Sequence, residues 1–388
     1  MKAAAGGLVA LFVVACSGVT TGSVVSSPRT TGTPPPMATR LTCGDSRIGA
    51  TALAIYRFDT TSPFVELMDV SNPVKPYLAC TLMPASGAHF LSDTKLAFWT
   101  GDELGTADLG SGVITRTARL PARAGTGAFS ADGTKFAYRH WDDAGGMSLH
   151  LYVAGSDRTL YVREPIGGHG GTSPTFGPFD QLAFSPDGSL LLDHYAFGMQ
   201  PLTVFRLDGA VAFMSASATN STWSPVGKTL YFLSQNQSGQ TPTGDLHSWN
   251  ADGERAVAID LNGFYWPRMS PDGTGIIYNA SDDSVPGCGG VPHLWRLDLT
   301  TRRAAQISKS IGSSPFFVQP TVVWSDEEQL IQCGLGGPTG QDGVILAHDL
   351  RTGKDATVDT TLIVPGIGGP PLPPLSTFNL FDTWFAPA

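Results

Sequence analysis

Short apolar stretches alternate with tight-turn residues along most of this chain, and the alternation repeats. One recurring element opens with an aromatic residue, Leu or Met, continues with Ser and a turn, and ends in an apolar run. It reads FLSDTKLAFW from Phe90, FSADGTKFAY from Phe129, FSPDGSLLLD from Phe184, WSPVGKTLYF from Trp223, MSPDGTGIIY from Met269 and WSDEEQLIQC from Trp324. In the copy Ser185-Pro186-Asp187-Gly188, proline sets φ at the first turn position, Asp bonds nearby amides and Gly accepts a positive φ. That chemistry predicts a tight hairpin between two strands. The copies at Ser92 and Ser325 lack the Pro-Asp-Gly turn and mark the least regular units.

A second hairpin follows each first one. It reads TADLGSGVITRT from Thr106, LYVAGSDRTLYV from Leu151, VFRLDGAVAFMS from Val204, HSWNADGERAVAI from His247, LWRLDLTTRRAAQI from Leu294 and LAHDLRTGKDATV from Leu346. Two hairpins make a four-stranded antiparallel sheet, and a repeat of roughly 40 to 55 residues matches the blade of a propeller. Six such units lie between Ala88 and Thr361, and the two ends of the chain supply another. TALAIYRF, FVELMDV and KPYLACTL are three strands lacking a first partner, and the closing STFNLFDTWFAPA carries one. The expected fold is therefore all-β. It is a single β-propeller of seven four-stranded blades, with six as the alternative, closed by a C-terminal strand joining the N-terminal blade. Such closure removes the exposed sheet edge that invites aggregation.

These repeats resemble the TolB-type, WD-like propeller repeats built on the Ser-Pro-Asp-Gly hairpin. The resemblance covers most of Ala88 to Thr361 and is specific for fold. For function it implies only that a chain of this kind binds protein partners.

Composition agrees with many short strands and turns: 46 Gly, 29 Pro and 15% charged residues in 388. The net charge of −9 and the absence of a basic block argue against a nucleic-acid partner. At the N-terminus, Lys2 precedes a short apolar run from Gly6 to Ala15, too short to span a bilayer. It ends in Val13-Val14-Ala15-Cys16, which resembles a bacterial lipobox. That resemblance implies a signal peptide over 1–15 and diacylglycerol on the Cys16 thiol, with membrane attachment through that lipid. Residues 16–42, rich in Ser, Thr, Gly and Pro, read as a flexible tether, leaving 43–388 for the propeller. Ser17 after the cysteine is similar to the outer-membrane sorting pattern, periplasmic or surface-facing. The other four cysteines fit two disulfides in an exported chain. Of three connectivities, the blade layout favours Cys43–Cys80 and Cys288–Cys333.

Loops on one face carry most of the length and are the expected binding surface. His140, Trp141, Asp142 and Asp143 form the densest polar group, and Asp282 and Asp283 a smaller one. Calcium is the ion these carboxylates suit, but alternately spaced oxygen ligands are absent, so no cofactor or metal is expected. His169 sits among glycines, and Tyr265 and Trp266 offer stacking surfaces. No G-x-S-x-G, HExxH, Walker A or GxGxxG motif occurs, so no catalytic residue is assigned. Two readings remain. The first is a cell-envelope binding or scaffold module for a protein or glycan. The second is an envelope enzyme, such as a metal-assisted hydrolase, lactonase or lyase, working at the channel mouth.

Overall fold

The structure, a computed structural model, describes residues 38–43, 52–58, 63–142, 146–163, 181–194, 201–235, 243–262, 264–282, 291–311, 313–326, 345–359 and 379–385. Among them there are strands and turns and no α-helix. The first blade is built from both ends of the chain. Its strands β1 (Arg40–Cys43), β2 (Ala52–Phe58), β3 (Phe64–Asp69) and β4 (Tyr77–Met83) are joined by β29 (Asn379–Phe385) in the order β1-β4-β3-β2-β29. Blade two holds β5 (Gly87–Ser92), β6 (Lys95–Trp99), β7 (Glu103–Asp108) and β8 (Ile114–Arg119). Blade three holds β9 (Gly127–Phe129), β10 (Lys135–Trp141), β11 (Met147–Val153) and β12 (Ser156–Arg163). Blade four holds β13 (Gln181–Phe184), β14 (Leu190–His194), β15 (Leu202–Arg206) and β16 (Val211–Ser215). Blade five holds β17 (Ala218–Trp223), β18 (Leu230–Gln235), β19 (Thr243–Asn250) and β20 (Gly253–Asn262). Blade six holds β21 (Tyr265–Met269), β22 (Gly275–Asp282), β23 (Val291–Asp298) and β24 (Arg303–Ile311). Blade seven holds β25 (Ser313–Gln319), β26 (Val322–Asp326), β27 (Ile345–Asp349) and β28 (Lys354–Thr357). Every ladder is antiparallel; blades two to seven are simple meanders, while blade one takes β1 and β29 onto its two edges, and the result is a seven-bladed propeller.

Closure occurs as the repeat predicts. Ala52 pairs with Phe385 and Leu53 with Trp384, so the tail supplies the missing strand of the first blade. The first blade also gains a fifth, outermost strand that the repeat does not contain. Arg40–Cys43 runs along β4, and Cys43 lies directly opposite Cys80, to which it is disulfide-bonded. The expected partners Cys288 and Cys333 lie outside the described residues.

One repeat is displaced from its expected register. WSDEEQLIQC places Trp324 on the first strand of its blade, but Trp324 lies on the second, opposite Phe316 and Ala347. The hairpin turn falls at Gln319–Val322 instead. Burial decides the matter: Val318, Val323 and Trp324 are all core residues, so both sides of that turn must be strand.

The Ser-Pro-Asp-Gly turns owe their rigidity to the serine as much as to proline and glycine. Ser185 Oγ donates to Asp187 Oδ1 at 2.7 Å and accepts the Leu190 amide at 3.0 Å. Ser130 does the same with Asp132 and Lys135, and Ser270 with Asp272 and Gly275. The aspartates also accept the amides of Thr134, Ser189 and Thr274. These bonds hold Asp132 at about 2 and Asp272 below the usual carboxylate range. For Asp187 burial pushes upward, and the Lys228 ammonium at 2.8 Å is the larger of the influences that lower it. Gly188 closes the turn at φ 65°, where a side chain would be strained.

The core is divided. Seven apolar clusters fill the seven gaps between neighbouring blades, because each twisted sheet is hydrophobic on both faces. The gap that closes the ring packs Met68 and Val70 of blade one against Val318, Val322 and Trp324 of blade seven. Polar bonds reinforce it. Gln319 Nε2 donates to the Val70 and Ser71 carbonyls, and Trp324 Nε1 to the Pro73 carbonyl.

Candidate functional site

The residues singled out in the sequence fall on two distant blades. His140 and Trp141 end β10 in blade three, and Asp142 follows. Tyr265 and Trp266 open β21 in blade six, where Trp266 is buried at φ 47°. Asp282 ends β22, whereas Asp143, His169 and Asp283 lie outside the described residues. Asp142 accepts the Gly146 amide at 2.7 Å and so closes its own loop. Among the described residues, no three His, Cys, Asp or Glu side chains meet as a metal site.

A groove lies beside His140. The connector Leu120-Pro121-Ala122-Arg123 crosses from blade two to blade three and forms the floor of an open cavity of about 850 Å³. Both blades hold this connector. On one side the Leu120 amide donates to the Asp102 carbonyl, and the Ala124 amide to the Gly101 carbonyl. On the other, His140 Nδ1 lies 3.0 Å from the Arg123 carbonyl oxygen, so that nitrogen carries the proton and donates. The Gly125 amide donates to the Arg139 carbonyl, and the Arg139 amide to the Thr126 carbonyl. One wall carries Asp102 and Arg119, paired at 3.3 Å, and the other carries Tyr152 and Asp157. Opposite charges around an aromatic ring suit a ligand rich in hydroxyl, amide or zwitterionic groups.

Asp157 is fixed from behind. Tyr138 donates to its Oδ1 at 2.9 Å, and His150 Nδ1 to its Oδ2 at 2.9 Å, while Ser148 Oγ donates to His150 Nε2. Burial, then the bond to Asp157, raises the Tyr138 phenol, so it stays a donor. In the sequence Asp157 belongs to the hairpin LYVAGSDRTLYV, and residues 119–123 carry no motif. Nothing in their spacing announces a groove, because its walls come from different blades.

Ser325, His348 and Asp355 are hydrogen-bonded in the order of a nucleophilic triad. Ser325 Oγ lies 2.6 Å from His348 Nε2, and His348 Nδ1 lies 2.8 Å from Asp355 Oδ1. Burial decides against catalysis, since Ser325 and His348 are each 2% exposed and no substrate could reach them. Asp355 also accepts from Ser308 of blade six at 2.6 Å, so the network fastens two blades. Related pairs recur: His150 with Asp157 and His247 with Glu254, each seven residues apart across the outer hairpin. A device repeated in three blades is structural.

A second inter-blade fastener is ionic. Arg139, fully buried, reaches from blade three to Asp193 of blade four through Nε and Nη2, at 2.8 and 2.6 Å. The same guanidinium donates to the carbonyls of Gln181 and His194. Burial pulls the His194 imidazole down to about 4, so that ring is neutral.

The chain matches no family model and no curated protein. Among solved structures it is similar to an oligogalacturonate lyase in complex with manganese, at 14% identity and TM-score 0.47 over 74% of this chain and 94% of that one. It is similar to the tricorn protease at 13% identity and TM-score 0.49, over 84% of this chain and 35% of that one. It is also similar to TolB from Acinetobacter baumannii at 13% identity and TM-score 0.41, over 79% of each chain. These are likenesses of fold alone.

Proposed function

We propose that this chain is a lipid-anchored cell-envelope propeller that binds a protein or glycan partner in the groove between blades two and three. The observation that carries this reading is the connector 120–123, held at both ends by backbone bonds. A floor fixed before the ligand arrives costs little ordering entropy on binding. Arg119, Arg123, Asp102 and Asp157 supply donors and acceptors of both signs, and Tyr152 offers a face for a sugar ring or peptide side chain. The lipobox resemblance at Cys16 supports anchoring, and the segment read as a tether ends where β1 begins at Arg40. The Cys43–Cys80 disulfide fits an oxidising compartment.

Two experiments test the two halves. A photocrosslinker at Pro121 in the anchored protein should capture one envelope species, and Arg123→Ala should abolish the adduct. A crosslinker at Val113, on the opposite turn, should capture nothing. Equal adducts from both positions, or none from Pro121, would refute the groove. Cys16→Ala should move the protein from the membrane to the soluble fraction, and retention in the membrane would refute the lipid.

A further inference from the structure

The innermost strands of the blades, β29, β5, β9, β13, β17, β21 and β25, surround the central channel. Their registers align. His89, Ala128, Ala183, Thr222, Arg268 and Phe316 each directly precede the aromatic residue or Met that leads into the hairpin turn. All six are half-buried or exposed, whereas Ala88, Ser221, Pro267 and Pro315 just before them are buried. Alternation along the strand therefore turns this level toward the channel.

Arg268 is the one Lys or Arg on these strands. It is exposed to water, yet burial alone pulls its pKa down and no acid offsets the effect. The two observations agree for a side chain standing in a channel, where water reaches it and the surrounding blades shut out the bulk. Among the described residues no carboxylate pairs with it. Its partner is the Phe316 ring, whose centroid lies 5.3 Å from Cζ. The backbone beside it is irregular too. β17, β21 and β25 each bulge just before this level, at Asn220, at Trp266 and Pro267, and at Ser314 and Pro315. Asn220 has φ 44° and Trp266 φ 47°. Bulges re-aim side chains, and left-handed backbone costs energy at residues other than glycine.

We infer that the central channel holds a binding site for a small monocarboxylate, with Arg268 as its counter-ion. A guanidinium packed on an aromatic face keeps its planar fork of N–H groups, which a carboxylate accepts through two parallel bonds. Thr222 adds a hydroxyl from the neighbouring blade, and the short side chains of Ala128 and Ala183 leave room at the same level. His89, the other basic side chain there, has Nε2 3.4 Å from the Ala131 carbonyl oxygen and is engaged by it. One free cation balances one negative charge. A phosphate dianion would bring a second charge into the channel without a partner, and an unpaired charge shielded from bulk water is costly. This site is separate from the groove between blades two and three and does not depend on it.

Isothermal titration calorimetry of the full chain in detergent with sodium acetate, with the melting temperature followed in parallel, tests this. One saturable acetate should bind per chain and raise the melting temperature. Arg268→Gln should weaken binding by about tenfold or more, the scale of a lost bond to a charged group. The variant should melt no lower than the wild type, since no ion pair is lost. Arg303→Gln, at an exposed position on the outer strand of the same blade, should bind acetate as the wild type does. Glucuronate and N-acetylglycine, added as competitors, distinguish a sugar acid from an amino-acid carboxylate, and displacement of acetate by either supports the site. Absence of saturable binding, or undiminished binding by Arg268→Gln, would overturn the inference. So would inorganic phosphate that displaces acetate at a lower concentration than either acid.

Discussion

Glu66 should make this propeller less stable as pH rises, and replacing it with glutamine should remove that dependence. It lies on β3 between Val65 and Leu67, all three fully buried, opposite Tyr56 and Thr81. By alternation it shares a face with Met68, which packs into the gap that closes the ring. Neither carboxyl oxygen has a hydrogen-bond partner among the described residues. Burial alone pushes its pKa from the ordinary 4.5 to about 7. The folded protein therefore keeps this proton where the unfolded chain has lost it. Stability from Glu66 is complete below pH 4.5 and is lost as pH rises through about 7. The slope is about 1.4 kcal/mol per pH unit, and the whole loss about 3 kcal/mol.

His194 works in the opposite direction. Its folded value of about 4 lies below the unfolded 6.5, so its contribution is present above 6.5 and lost as pH falls toward 4. Between about pH 4.5 and 6.5 the two slopes nearly cancel, and the wild-type profile alone would hide both. The informative quantity is the difference between wild type and Glu66→Gln, measured by urea unfolding from pH 4.5 to 8.5. That difference should swing by about 3 kcal/mol in favour of the variant as pH rises. In melting temperature this is about 4 °C, taking about 2.1 cal/mol/K of unfolding entropy per residue. A difference that is constant across the range would refute the reasoning, because it would mean that Glu66 ionises equally in both states.

Arg139→Ala should destabilise by about 3–5 kcal/mol, since Asp193 would remain buried without its counter-ion; Arg139→Met with Asp193→Leu should recover most of this in denaturant titrations. Ser325→Ala should lower stability by about 1–2 kcal/mol in denaturant titrations by breaking the bond to His348, as a buried structural serine requires. Reduction of Cys43–Cys80, which closes a separation of 37 residues, should cost about 4 kcal/mol in the loop-entropy account; amide exchange should then rise first in β1.

Much of the architecture is legible because it is repetitive and local. Each Ser-Pro-Asp-Gly turn declares itself within four residues, since proline, aspartate and glycine each meet a dihedral or hydrogen-bonding need there. The unpaired strands at the two ends of the chain announce the closure of Leu53 against Trp384. The Cys43–Cys80 pair followed from the same layout. In blade seven WSDEEQ mimics the repeat while its turn chemistry is missing, and only the burial of Val318 and Val323 on either side of Gln319–Val322 fixes the register.

Other features depend on which residues different blades bring together. Arg139 and Asp193 are 54 positions apart, and only the packing of blade three on blade four makes them partners. The groove joins Asp102, Arg123 and Asp157 from a loop, a connector and a hairpin. Ser325 beside His348 has the hydrogen bonds of a nucleophile and the burial of a core residue, and burial is a property of the assembled ring. Period and turn chemistry are local and can be read along a chain. Desolvation, charge pairing and concavity arise between elements, so the tertiary structure alone decides them.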